Sequence, residues 1–211
     1  MNKLKYLILP FFFITSMVQA HTPIRQWFTE MPDSILPLLT RNNRLDFIDF
    51  ADSHMEGTID NRLDGKSRIK TLTDDYLYIN YTPSCDVEMK LLPINDSTDV
   101  LCMVTTMKGG VKDSRITFFD KEWQPYAKDI LLKEPDLQDF RTTETSDSAE
   151  IAWKKMDILF RTYTLSPDTT LLVCKLSTID YLNKKDRNAV TPYLRAEAIE
   201  YIWKDGRYTI P

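Results

Sequence analysis

Two histidines stand in the whole chain, His21 and His54. Imidazole nitrogens suit Cu(II). A mature chain beginning at His21 would offer its α-amine and imidazole to one copper ion, with His54 closing a T-shaped site. The simpler reading is a frayed terminus and a surface histidine at a helix end. Asp46, Asp49 and Asp52 recur at i, i+3 and i+6, which sets three carboxylates along one side of a helix. Such a row could hold Ca²⁺, or supply the acid and base of a glycan hydrolase. It is more simply the solvated face of an amphipathic helix. Covalent catalysis has little to work with. Neither Gly-x-Ser-x-Gly nor His-Glu-x-x-His occurs, Cys-x-x-Cys is absent, and His54 is the one internal base for a Cys–His dyad. No cofactor is expected.

Aromatic side chains carry the argument for binding. Trp123, Tyr126, Trp203 and Tyr208 flank two expected turns, at residues 120–122 and 204–206. On the wet face of a sheet they would form a platform able to stack on sugars or pack on a protein. Alternatively they complete the core around each turn.

The first 20 residues read as a secretory leader. Lys3 and Lys5 form a positive region, Leu7 to Met17 is an apolar run, and Val18 and Ala20 stand at −3 and −1 of a small-residue cleavage site. The run is too short for a spanning helix, and no later stretch reaches the roughly 20 apolar residues that one needs. The mature chain is therefore expected to be exported and to begin at His21. Cleavage would remove Lys3, Lys5 and no acid, moving the net charge from −4 to −6. A mildly acidic chain without a basic cluster is a poor partner for nucleic acid. Export permits a disulfide. Cys102 and Cys174 sit in apolar runs and read as buried thiols, while Cys85 stands at a turn and could pair with either.

The elements that would position these groups follow from periodicity. Residues 33–54 read as one bent helix or two short ones, with Leu45, Ile48, Ala51 and Met55 on the apolar side and Asn42 and Asn43 at a break or second cap. From Tyr76 onward, "YLYINYT", "DVEMKLLPI" (ended by Pro93), "DVLCMVTTM" and "SRITFFD" form four strands with short turns, an antiparallel meander. After a less regular stretch, "MDILFRTYTL", "TTLLVCKLST", "LRAEAIEYIW" and "RYTI" repeat the pattern, the last two joined by a three-residue Lys204-Asp205-Gly206 turn. "IDYLNKKDRNAVTPY" reads as a polar loop. The expected fold is α+β: antiparallel meanders in two weakly repeated halves, at about 21–130 and 131–211, with helices on one face and the other face wet. Residues 21–211 are taken as one domain.

Pro32-Asp33-Ser34, Asn42-Asn43-Arg44-Leu45-Asp46 and Asn61-Arg62-Leu63-Asp64-Gly65, with "LLPINDSTDVLCMV" and "DSRITFFDKEW", make nearly all of the mature chain resemble a family of uncharacterised exported proteins of Bacteroidales. The resemblance implies a compartment, periplasmic or associated with the outer membrane, and no mechanism. Asp147-Ser148-Ala149 and Asp168-Thr169-Thr170 are similar to the O-glycosylation acceptor pattern of exported proteins of that group, with Ser148 and Thr169 as acceptors in expected loops. The expected function is a non-catalytic binding or interaction protein of the cell envelope, its partner an envelope protein or a glycan. The alternative is a carboxylate-dependent glycan hydrolase.

Overall fold

The computed structural model describes residues 22–53, 55 and 57–211. His21 and His54, both members of the expected copper site, lie outside the described residues, as does the leader. Six strands form one antiparallel sheet in chain order: β1 (Thr58–Asp60), β2 (Lys66–Leu72), β3 (Tyr76–Thr82), β4 (Cys85–Asn95), β5 (Thr98–Lys108) and β6 (Lys112–Phe119). Four more, β7 (Arg161–Leu165), β8 (Leu172–Leu176), β9 (Ile199–Lys204) and β10 (Arg207–Thr209), form a second antiparallel sheet ordered β10-β9-β8-β7. The chain thus adopts the expected α+β architecture with two meanders, and β1 and β2 extend the first of them.

Alternation along β3 to β6 sends side chains into two cores. Leu77, Ile79, Val87, Met89, Leu101 and Met103 face α1 (Ile24–Glu30) and α2 (Arg41–Asp52), where Ile24, Phe28 and Phe47 meet them. Tyr76, Leu92, Cys102, Val104 and Phe118 face the second sheet and pack on Tyr163, Leu165, Leu172, Cys174 and Tyr201. The second sheet therefore covers the middle of the face that sequence alternation marked as wet. Lys90 on that face is 2% exposed, its ammonium paired with Asp75 at 2.8 Å and donating to the Pro167 carbonyl at 3.0 Å.

Several local expectations change. Residues 31–39 are turns, which accommodates Pro37, and α2 starts later than expected. Thr40 caps it: Asn43 N–H donates to Thr40 Oγ1 at 3.2 Å, and Asn43 Oδ1 accepts from Thr40 N–H at 3.0 Å. Asn43 is thus a member of the cap and no break. The segment read as a polar loop holds α5 (Thr178–Tyr181) and α6 (Lys184–Val190), which with α4 (Asp147–Trp153) close a third core around Trp153, Met156 and Val190. A short α3 (Lys128–Leu131) and a 3₁₀ turn at Leu137–Phe140 follow β6. All three cysteines are free and buried. Cys85 points to the helix-covered core and Cys102 and Cys174 to the core between the sheets, so the first sheet itself separates Cys85 from both.

Pro93 does not end β4, which runs on to Asn95. The Leu91 N–H bonds Asp75 O at 2.8 Å, so odd positions of β4 direct their main-chain groups toward β3. β3 starts at Tyr76, opposite Lys90, so at Pro93 that neighbour has ended and no N–H is missed. The Pro93 carbonyl, on the same side, accepts from Trp203 Nε1 at 2.7 Å.

The β9–β10 turn has two residues, not three. Lys204 pairs with Arg207, and Asp205 (φ 51°) and Gly206 (φ 74°) both take left-handed backbone, the signature of the turn whose twist suits a hairpin. A Cβ on Gly206 would sit 3.3 Å from the Ile94 carbonyl oxygen. Gly206→Ala is expected to destabilise the protein by about 1–2 kcal/mol. Urea unfolding should show a lower midpoint with an unchanged slope; an unchanged midpoint would mean that the hairpin tip moves off β4 without loss.

Candidate functional site

The four aromatic residues do not form one patch. Asp120 N–H bonds Gln124 O at 3.0 Å across a three-residue turn, and Trp123 occupies its left-handed position with φ 61°. The Trp123 ring packs on Trp27 at 5.5 Å and on Phe119 at 5.8 Å, which places it against the helix-covered core. Those contacts hold a bulky residue in a backbone region that glycine or asparagine ordinarily fills. Tyr126 is exposed beyond this turn, its N–H bonded to Phe118 O at 2.8 Å. Trp203 and Tyr208 lie on the other side of the first sheet, their rings 4.9 Å apart and edge to face. Tyr208 is 4% exposed and packs in the inter-sheet core. Trp203 is half-buried, and its indole N–H ties the hairpin tip to β4.

The carboxylates are likewise dispersed. Asp46, Asp49 and Asp52 are exposed on α2, and Asp52 pairs with Arg25 at 3.2 Å. Among the described residues no group of His, Cys, Asp and Glu is placed to hold a metal ion. Glu88 is buried between the sheets. Of the two acceptor positions, Thr169 is exposed in the turn between β7 and β8, whereas Ser148 lies in the first turn of α4, exposed but helical rather than in a loop.

The concavity best built for contact lies beside β10. A cleft of about 360 Å³ opens between this strand and the segment 129–135. Leu132, Tyr201 and Tyr208 contribute its apolar lining, and Ile130 and Ile210 stand at its lips, 66% and 62% exposed. Asp129, Lys133, Asp139 and Arg207 form the charged rim. The segment on the far wall is pinned through Glu134. Its carboxylate pairs with Lys128 at 2.5 Å and with Arg161 at 2.8 Å, and accepts from the Tyr163 hydroxyl at 3.1 Å. Partial burial works to raise this carboxyl, but the two cations and the hydroxyl outweigh it and hold it below the ordinary range. Arg161 also donates to the Pro135 carbonyl, and the Tyr201 hydroxyl donates to Lys133 O at 3.3 Å. A carboxylate so committed anchors a wall and is not free to move protons. The arrangement is one for holding an apolar group beside charge.

Only Tyr208 of the four aromatic candidates lines this cleft. Ile130 and Arg207, which sequence reasoning passed over, stand at its edge. Their signal is faint: Ile130 is an isoleucine exposed in a four-residue helix, inside a stretch with no clear period.

No curated protein matches the chain. A solved structure of a domain of an uncharacterized protein from Porphyromonas gingivalis W83 is similar in fold, with a TM-score of 0.80 at 25% identity, covering 89% of this chain and 98% of that one. Residues 15–208 match the family described as "Protein of unknown function (DUF3256)". With that match over most of its length, and with two antiparallel sheets in its fold, the chain belongs to the DUF3256 family, whose function is unknown.

Proposed function

We propose that this protein is an exported, non-catalytic binding protein of the cell envelope, and that the cleft beside β10 is its contact surface. Export is supported by the charged, apolar and small-residue order of positions 1–20. No helix among the described residues is long and apolar enough to cross a membrane. The observation that carries the binding reading is the pair Ile130 and Ile210, two large aliphatic side chains left exposed among the residues that line one cleft. Single exposed apolar residues are ordinary; two that converge on a concavity rimmed by charge are the usual anatomy of a contact site.

Chemical cross-linking in intact native cells, comparing wild type with Ile130→Asp, tests this. A partner captured by the wild type should be lost from the variant, while the thermal unfolding of the two proteins stays within a few degrees, because Ile130 is a surface residue. Capture that is indifferent to the substitution would overturn the assignment of the cleft. Intact mass of the protein from the same cells should correspond to a chain beginning at His21, and a chain retaining Met1 would overturn export. Thr169 is the better placed of the two acceptors for O-glycosylation, and Thr169→Ala should remove any glycan mass that the native protein carries.

A further inference from the structure

A second concavity, of about 500 Å³, lies where the chain enters α1. Thr22 and Pro23 bring the chain past it, and Leu91 and Pro93 of β4 give it apolar surface. Three carboxylates complete the lining. Asp74 and Asp75 come from the turn between β2 and β3, and Asp99 stands directly opposite Pro93 across β4 and β5. The entry of the chain is fixed: Ile24 is fully buried, and its N–H bonds Asp74 O at 2.8 Å. The lining holds three acids and no base. Two cations reach these acids from outside it. Lys90, 2% exposed, meets Asp75 at 2.8 Å and also donates to the Pro167 carbonyl. Arg25 is divided between Asp74 at 3.4 Å and Asp52 at 3.2 Å. Among the described residues, three lining carboxylates thus share one buried lysine and part of one arginine.

These acids are not placed to hold a metal ion. An ammonium suits them better, because it donates in three directions and needs no coordination shell. Removal of residues 1–20 creates one on the residue before Thr22. Standard backbone dimensions keep that new α-amine within about 5 Å of the Thr22 Cα, whatever the local conformation. In the precursor the same nitrogen is an uncharged amide. A free α-amine is mostly protonated at neutral pH. We propose that this pocket receives the chain's own new N-terminus, the α-ammonium of His21 seating among Asp74, Asp75 and Asp99, so that leader removal supplies the charge that ties the start of α1 to the first sheet. The cleaved chain is then more stable than its precursor. The inference rests on the export proposed above and is independent of the cleft beside β10.

The test uses the mature protein purified from native cells, its first residue read by intact mass, beside the same protein selectively acetylated at the α-amine. Titration of the amine is followed by its rate of labelling, read on the N-terminal peptide. It should titrate at about 9, against about 7.7–8.0 for a free terminus, and fall at least halfway back in the isosteric variant Asp99→Asn. At pH 6.5 the free-amine form should melt about 2–5 °C above the acetylated one. A group whose pKa is raised by folding contributes stability that is full below its unfolded value, so this gap should close as the pH rises through the folded value. Added salt should narrow it as well. An amine that titrates at its ordinary value, with equal melting of the two forms, would overturn the docking and leave export standing. A raised value undiminished by Asp99→Asn would place the ammonium elsewhere and overturn the pocket. A mature chain beginning at another residue would overturn the export site and this inference together.

Discussion

Arg44→Ala is expected to cost about 3–5 kcal/mol of folding stability, the largest effect of any single polar substitution in this chain. Arg44 lies in the first turn and a half of α2 and is 0% exposed. Its guanidinium pairs with Asp33 at 2.9 Å, donates to the Leu39 carbonyl at 2.6 Å, and donates also to the Met31 carbonyl. One side chain thus closes the 31–39 turns against the helix that follows them, where no ladder satisfies those carbonyls. Alanine would leave two acceptors without donors and a cavity beside Met31, Leu36 and Leu39, all buried. Asp33 is about half exposed and would recover its hydration, so the loss comes from the carbonyls and the cavity more than from the ion pair. Arg44→Lys should restore less than half, because one ammonium cannot reproduce the planar fork that spans three acceptors. Urea unfolding of the three proteins decides it. A cost under about 1 kcal/mol for alanine would mean that water replaces the guanidinium in the turns.

How this arginine escaped the sequence reading shows where such reading stops. Apolar spacing put Leu45, Ile48 and Ala51 on the inner side of the helix, and the buried set is Arg44, Phe47 and Ile48. Periodicity counts an arginine as polar and therefore as outside; nothing in its neighbours announces three acceptors from a loop ahead of it. The strands were legible because alternation is a property of the strand itself. What covers each face is not, and so "DVEMKLLPI" alternated in sequence and was buried on both sides in space. α6 carried a signal in Asn183, which accepts from Asp186 N–H at 3.0 Å as a cap, but it buries one residue, Val190, and so shows no apolar stripe. α1 had less to show: Pro23 stands at its cap position without a side-chain bond. The cleft was hardest of all. It needs the segment after β6 beside the last hairpin, two stretches some 75 residues apart whose meeting depends on Glu134, Arg161 and Tyr163 finding one another.

Glu88 makes the second large prediction, in stability against pH. It lies on β4 between the sheets, 9% exposed, and one carboxyl oxygen, Oε2, accepts both the Leu165 N–H at 2.9 Å and the Tyr76 hydroxyl at 3.0 Å. Burial pushes this carboxyl above its ordinary 4.5, the two donors pull it part of the way back, and nearby Asp86 adds to the rise. Lys90, two residues on, is engaged with Asp75 and Pro167. A carboxyl whose pKa is higher folded than unfolded contributes stability that is full below 4.5 and lost as the pH rises through the folded value. Glu88→Gln keeps a carbonyl oxygen for both donors and carries no charge. It should therefore be more stable than wild type at pH 7, and the difference should vanish as the pH falls toward 4.5. Glu88→Ala should cost about 2–4 kcal/mol at low pH and less at pH 7, because it strands a main-chain N–H of β7 and a tyrosine hydroxyl inside the core but also removes the buried charge. Because Glu134, Glu150 and Asp186 shift the opposite way, toward lower values, the wild-type profile alone mixes the two signs. The wild type minus Glu88→Gln difference, measured in urea at several pH values, isolates the buried group. A difference that grows on acidification would show that Glu88 is held charged, and that the sheets are joined by an ion rather than by a neutral acid.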